Sequence, residues 1–302
     1  MLMTIRTLFH DVMKQERLNF LLTNRIPRRS LTIFMGWFSQ IKQPLVRDFS
    51  IGTWRRFAAL DLAEAKKTHF TSMHDCFIRE LKPGSRPIHP DPVVLTSPCD
   101  GIVGACGLVV GTQVFQAKGF PYELIDLLGD PDLVGQYLDG SYVTIRITSS
   151  MYHRFHAPLD CDVRRVNYIS GDTWNVNPIA LQRVENLFCK NERAVVHASP
   201  KAGGPDVLLV AVAAVLVASI RLHFVDALLH LRYRGPNLIK CDASFAKGDE
   251  MGWFQHGSTI IVFAPRGYAL CASIRDGQPL RVGEPLMMIA PTWSVRRAAV
   301  QS

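Results

Sequence analysis

The sequence has no apolar run long enough to cross a membrane and no paired cysteine motif. Its longest uncharged apolar stretch, 207–220, holds 14 residues, fewer than the roughly 18 that a spanning helix needs. The β-branched residues in this stretch favour buried strand instead. The seven cysteines are scattered without a Cys-x-x-Cys pair, so we predict no metal site and no disulfide framework, and a reducing compartment fits best.

Acidic residues are scarce at the start of the chain. Residues 1–60 hold three acids against ten Lys or Arg, which accounts for seven of the eight net positive charges. Large apolar residues lie among the basic ones at near-helical spacing, a pattern typical of a helix on an anionic membrane surface. The alternative is a helix packed on the protein with a solvated basic face. No nucleic-acid-binding module accompanies the charge, so we expect no nucleic-acid partner.

Helical patterns are confined mainly to the N-terminal region. Residues 1–65 are predicted to be helical, with breaks at 24–27 and near Pro44. Ser72 has capping-box spacing, which predicts a short helix over 76–81.

From about residue 93 the pattern becomes that of strands. Val143, Ile145 and Ile147 alternate with other residues as in a half-buried strand, and 260–263 predicts a buried strand. The segment 122–128 is expected to be one helical excursion. We therefore predict an α+β fold, with an N-terminal helical membrane-associating element (1–65) on a β-rich, sandwich-like catalytic domain (66–302).

One tripeptide, Gly257-Ser258-Thr259, precedes the buried strand. Self-cleavage at a serine needs a small preceding residue, because the hydroxyl must attack the carbonyl just before it and the backbone must bend tightly. Most such tripeptides are turns that enter strands. The serine also needs a base, and the base works best when a carboxylate orients it. Asp100 and either His153 or His156 are the candidates for these groups.

Several motifs occur together and in order along the chain. They are FIRELKPGSRPI at 77–88, SPCDG at 97–101, QAKGFPYELIDLLGD at 116–130, YHRFHAP at 152–158, GDTWNVNP at 171–178, NLFCKNERAVV at 186–196 and KGDEMGWFQHGSTIIVFAP at 247–265. In this set the chain resembles the phosphatidylserine decarboxylase proenzymes of the short bacterial type, from about Phe77 to about Pro285.

The resemblance implies two reactions. In the first, the chain cleaves itself between Gly257 and Ser258 into a β chain (1–257) and an α chain (258–302), and Ser258 becomes a covalent pyruvoyl group. Asp100, His156 and Ser258 match the family's self-cleavage triad. In the second, the pyruvoyl cofactor forms a Schiff base with phosphatidylserine and the product is phosphatidylethanolamine. His153 matches the position linked to proton delivery. The resemblance thus implies a carboxy-lyase of phospholipid biosynthesis.

The chain departs from the family pattern at a few positions. His256 stands where leucine is usual, Met151 replaces a common acid, and Ala213 and Ala218 replace glycines. These alanines could narrow the site if backbone approaches substrate there. None of the four positions is a predicted catalytic residue, so we expect an active enzyme.

Three alternatives to this decarboxylase hypothesis stay open. The segments 97–114 and 273–289 resemble the sandwich of biotinyl and lipoyl carriers, but neither has the lysine that a carrier needs. A lipid-binding pseudoenzyme would keep the fold without the activity, and a pyruvoyl enzyme could act on free amino acids. The expected partners are phosphatidylserine and an anionic membrane, with a homodimer left open. The expected location is the cytoplasmic face of the cell membrane, or alternatively the mitochondrial inner membrane.

Overall fold

The structure is a computed structural model that describes residues 15–58, 60–117, 120–215, 219–255 and 258–289. The helices are α1 (Glu16–Asn24), α2 (Arg28–Phe38), α3 (Pro44–Ala58), α4 (Met73–Phe77), α5 (Leu124–Leu128), α6 (Pro131–Val134), α7 (Pro178–Leu181) and α8 (Leu187–Lys190), with a 3-10 turn at Gly135–Tyr137.

The strands follow from residue 94 onwards. They are β1 (Val94–Thr96), β2 (Gly101–Leu108), β3 (Gln113–Ala117), β4 (Phe120–Glu123), β5 (Ser141–Ile147), β6 (Arg154–His156), β7 (Cys161–Ile169), β8 (Arg193–Pro200), β9 (Val207–Ala213), β10 (Ser219–Leu222), β11 (Leu228–His230), β12 (Leu238–Phe245), β13 (Glu250–Phe254), β14 (Ser258–Ala264), β15 (Tyr268–Leu270), β16 (Pro279–Leu280) and β17 (Pro285–Ile289).

One large antiparallel sheet organises the molecule. Among the described residues its strand order is β12-β7-β8-β9-β14-β5-β2-β16. The central strands β9 (VLLVAVA) and β14 (STIIVFA) are buried along their whole length. Their continuous runs of small, β-branched and aromatic residues explain this position, because such residues pack well on both faces of a covered sheet.

Different layers cover the two faces of this sheet. On one face, residues of the β11-β10-β13-β6 sheet and the β1-β17-β15 sheet share a core with the large sheet. On the other face, α5 to α8 and the β3-β4 ribbon contribute to a second core. The predicted α+β fold with a β-rich body is confirmed, and two packed sheets form part of it.

Two local predictions need correction. β5 is not half-buried: Tyr142 and Thr144 are buried as well as Val143, Ile145 and Ile147, because both faces of the sheet are covered. The predicted helix over 76–81 is instead α4, at Met73–Phe77. The cap explains the earlier start, since the Ser72 hydroxyl accepts a hydrogen bond from the Asp75 amide.

The N-terminal helices dock on the body by polar and aromatic contacts. Arg28 of α2 forms an ion pair with Asp172 at 2.6 Å and lies over the ring of Trp174 at 3.7 Å. Trp54 of α3 stacks on Phe77 at 5.5 Å between ring centroids. Within the described part of the chain, no helix combines the length and apolar character needed to cross a bilayer.

Gly252 marks a close approach between β13 and β10. A Cβ atom there would collide with the carbonyl oxygen of Arg221 and meet the Phe155 ring. We expect Gly252→Ala to lower the free energy of unfolding by about 1–3 kcal/mol through overpacking. Gly52→Ala in α3 is the matched control, because nothing lies within 4 Å of its added methyl, and it should raise stability by about 0.5–1 kcal/mol. Chemical denaturation of both variants tests this, and equal effects would contradict it.

Candidate active site

Ser258 is the first residue of β14, in the middle of the large sheet. It pairs with Ile147 of β5 on one side and Ala213 of β9 on the other. Its side chain is fully buried, and the hydroxyl has no hydrogen-bond partner among the described residues. The prediction that the serine stands at a strand start is confirmed. Buried polar groups are normally paired, so the unpaired Ser258 hydroxyl is one of the atoms whose role needs an explanation.

Gly257 and His256 lie outside the described residues. The structure therefore does not describe the position of the Gly257 carbonyl, where cleavage is predicted. Ala218 lies outside them too. Ala213 is described, and its backbone is held on both sides: its amide donates to Glu192 O and its carbonyl accepts from the Asn191 side chain. Its methyl therefore lies beside Ser258 at a fixed position.

His153 is fully buried just after β5. Its Nδ1 donates to the Met151 carbonyl at 2.8 Å, and its ring lies against Phe77 at 3.9 Å between centroids. Because a carbonyl can only accept, the Nδ1 atom carries the proton and Nε2 has the lone pair in the neutral ring. The His153 carbonyl accepts from the amide of Phe254, the last residue of β13, which is four residues before Ser258 along the chain.

His156 is the last residue of β6 and is partly buried. Its Nδ1 donates to Gly248 O at 2.8 Å, and Tyr152 Oη donates to its Nε2 at 3.0 Å. Burial lowers the pKa of His156, while the hydrogen bond to Gly248 and the charges of Glu250 and Asp100 oppose that effect. The imidazole is therefore neutral at pH 7, as a base must be.

Asp100 has a different partner from the one predicted. Both carboxylate oxygens accept from Arg86, at 2.8 and 2.6 Å, and Oδ1 also accepts from the Val282 amide at 3.0 Å. No hydrogen bond joins Asp100 to His156 among the described residues. The reason is geometric: a bidentate guanidinium satisfies the carboxylate, and the Gly248 carbonyl already holds His156 Nδ1. The charge of Asp100 still acts on His156 through space.

The two motif segments nevertheless meet. The His156 amide donates to Pro98 O at 2.7 Å, two residues before Asp100. The structure thus brings Asp100 and His156 into one neighbourhood, and places Ser258 and His153 at the same end of the large sheet. It does not join Asp100, His156 and Ser258 as a continuous hydrogen-bonded triad.

Sequence reasoning missed two residues that complete this polar network. Arg86 forms ion pairs with Asp100 and with Glu64, the latter at 2.9 Å. The Tyr152 hydroxyl donates to His156 Nε2. Burial raises the pKa of Tyr152 well above its usual value, so its hydroxyl stays protonated and donates. Both residues stand inside the matched segments, at GSRPI and YHRFHAP, so the motifs were a signal for them.

The comparisons with known proteins identify the family of this chain. The family model for phosphatidylserine decarboxylase matches residues 73–288. A phosphatidylserine decarboxylase proenzyme of Haemophilus influenzae is 34% identical over 284 residues, covering 90% of this chain and 96% of the relative. Proenzymes of Aliivibrio salmonicida (32% identical, 87% of this chain and 95% of the relative) and Erwinia tasmaniensis (31%, 90% and 94%) are also similar. The chain belongs to the phosphatidylserine decarboxylase family, and the predicted enzyme class is confirmed.

The buried neutral histidine makes stability depend on pH. Burial lowers the pKa of His156 in the folded chain below its usual value. As the pH falls through about 6.5, this histidine is therefore protonated in the unfolded chain before it is protonated in the folded chain. The free energy of unfolding should therefore decrease from pH 7 towards pH 5. Denaturation of the Ser258→Ala chain over this range measures the slope. Adding His156→Gln should make the slope shallower, and parallel curves would contradict the assignment.

Proposed function

We propose that this protein is a pyruvoyl-dependent decarboxylase of phosphatidylserine that activates itself by cleavage between Gly257 and Ser258. The main support for this proposal is the buried hydroxyl of Ser258 at the start of β14, which has no partner among the described residues. The chain also belongs to this family. The proposed chains are β (1–257) and α (258–302), and residues 1–65 and 66–302 are the proposed N-terminal and catalytic regions.

The residues present fit a pyruvoyl group at position 258. The Ser258 hydroxyl has no competing partner among the described residues, and the neighbouring residues Ile147, Ala213 and Ile260 belong to the apolar core on one face of the sheet. A pyruvoyl ketone there would supply the carbonyl that condenses with the substrate amine and accepts the electrons released with carbon dioxide. Burial excludes water, which favours loss of a carboxylate's charge.

His156 is the proposed base for self-cleavage. As Ser258 Oγ attacks the Gly257 carbonyl carbon, the base takes the hydroxyl proton and returns a proton to the Ser258 nitrogen, so the backbone C–N bond is exchanged for an ester C–O bond. Loss of the Ser258 Cα proton to a base then expels the Gly257 carboxylate and breaks the chain. Water hydrolyses the dehydroalanine that remains to the pyruvoyl group and ammonia. The lone pair of His156 Nε2 is held by Tyr152 Oη in the structure, so this hydroxyl must turn away or relay the proton. Asp100 and Arg86 support the base by charge and by fixing the segment that carries it.

His153 is the proposed proton donor after decarboxylation. Met151 fixes its Nδ1–H and Phe77 fixes the plane of its ring, so Nε2 is the atom that would carry the transferred proton. A histidine suits this step because its usual pKa lies near neutrality.

The N-terminal helices are the proposed membrane contact. Phe34 and Trp37 of α2 are 50% and 63% exposed, and Leu45 and Phe49 of α3 are both 77% exposed. Exposed aromatic and apolar side chains beside basic ones are typical of interfacial helices. This surface fits a peripheral protein on an anionic membrane that contains the substrate. The cytoplasmic face of the cell membrane is the proposed location.

Intact mass of the purified protein tests the cleavage. We expect two chains, with the smaller one starting at residue 258 and carrying a pyruvoyl group in place of serine, and a single chain for Ser258→Ala. Decarboxylation of phosphatidylserine should accompany cleavage and be absent in the variant. A single uncleaved chain in both samples, even with lipid present, would contradict the proposed function and favour the lipid-binding pseudoenzyme.

Vesicle flotation tests the membrane contact. Replacing both Phe34 and Trp37 with serine should weaken binding to vesicles that contain phosphatidylserine by about tenfold or more, given the apolar area lost. Leu238→Ser is the control, because Leu238 is 50% exposed on β12, outside these helices. Equal binding by all three proteins would argue against the proposed surface.

A further inference from the structure

A large groove lies on the helix-covered face of the large sheet. Its volume is about 910 Å³, within the range of pockets that hold small molecules. β2 and β5 form its floor, and β3 and α7 form its walls. The lining is mainly apolar and includes Ile102, Ala105, Phe115, Tyr142, Thr144 and Arg146.

Arg146 is the unusual member of this lining. Its guanidinium is partly buried, yet it forms no ion pair and donates no side-chain hydrogen bond to any described residue. Burial alone lowers its pKa, with no carboxylate opposing the shift. The nearby Thr144 hydroxyl is buried without a partner in the described part of the chain. A charge left unpaired in an apolar groove points to an anionic ligand.

The groove also contains one described acid, Asp276. Asp276 lies beside β2, because the amide of the next residue, Gly277, donates to Val103 O and the charge of Asp276 acts on Cys106. Arg146 is the one cation among the described lining residues, so the groove is positive at the end of β5 that carries it.

The positive end of the groove adjoins the reactive serine. Arg146 is opposite Thr259 in the sheet, and the next residue, Ile147, is opposite Ser258. From Arg146 the groove runs away from Ser258 along β5 towards Tyr142. At about 3.4 Å per residue, the four steps from Arg146 to Tyr142 span roughly 14 Å of the groove floor.

We propose that this groove binds the phospholipid substrate, with the phosphodiester on Arg146, the serine headgroup towards residue 258 and the acyl chains along β5 and β2. The inference rests on the proposed function. Although the Ser258 side chain faces the other layer, the ketone carbon of a pyruvoyl group is the former Cα of the serine. Ser258 is itself buried and does not line the groove, but its Cα lies in the sheet opposite Ile147, one residue from the position opposite Arg146.

The wall of the groove connects it to the proposed membrane surface. α1 packs beside α7 through a hydrogen bond from Asn177 Nδ2 to Asn19 and an ion pair between Arg183 and Glu16. α1 also exposes Leu18 and Leu21. α1 therefore joins the wall of the groove to the N-terminal helices proposed to contact the membrane.

Binding of soluble dihexanoyl phosphatidylserine to the uncleaved Ser258→Ala protein tests the groove without any need for activity. Arg146→Gln should weaken the Kd on the order of tenfold to a hundredfold, as expected for the loss of a charge-assisted contact. Arg146→Lys should retain most of the affinity. Arg234→Gln is the matched control, since Arg234 is exposed and far along the chain from the groove, and it should not change the Kd.

A second variant separates the acyl chains from the phosphate. Ala105→Leu fills the groove floor and should weaken binding of dihexanoyl phosphatidylserine but not of glycerophosphoserine, which lacks acyl chains. Arg146→Gln should weaken both. Thermal melting confirms that each variant is folded, and a raised KM for cleaved Arg146→Gln enzyme would agree.

Unchanged Kd values for Arg146→Gln and Ala105→Leu would overturn the groove proposal. If the wild-type protein still cleaves itself and decarboxylates lipid, the proposed function survives that result. Conversely, absence of cleavage in the wild type refutes the proposed function while the Ser258→Ala binding series still decides the groove.

Discussion

The hydrogen bonding of β14 on both sides is the constraint on which the site depends. β5 and β9 hold this strand from its first residue, so Ser258 has a fixed backbone position in the centre of the sheet. A nucleophile that attacks its own preceding carbonyl gains most when one partner of the reaction is rigid. The sheet supplies that rigidity on the C-terminal side of the bond proposed for cleavage, and the apolar core on the face that contains Ile147 and Ala213 keeps water away.

Around this fixed point, the polar groups are arranged as two separate histidine sites. His153 is held by backbone and by an aromatic ring, and His156 is held by Gly248 and Tyr152. Asp100 belongs to the second site through Arg86 rather than by direct contact. The Tyr152 hydroxyl therefore occupies His156 Nε2, the atom proposed to act as the base, and would have to release it before proton transfer.

Sequence reasoning found the residues of the site better than it found their contacts. Local hydrophobic patterns and turn chemistry determine the buried strand at 260–263, the serine before it and most of the helix predicted at 122–128, which is α5 in the structure. These elements could therefore be predicted. The burial of Thr144 and the pairing of Asp100 with Arg86 could not, because both depend on layers that meet only in the folded chain. The groove around Arg146 could not be predicted for the same reason. An arginine in an alternating strand predicts a solvated face, and the groove forms only when α7 and β3 pack beside β2 and β5.

The position of β14 has a consequence for the assembled protein after cleavage. The segment 258–289 supplies β14 at the centre of the large sheet, β16 at its edge beside β2, and β17 beside β1. Cleavage before Ser258 would turn these intramolecular pairings into an interface between two chains that cannot be religated. Refolding would then become a second-order reaction, so recovery from denaturation would depend on protein concentration in the cleaved form but not in the precursor.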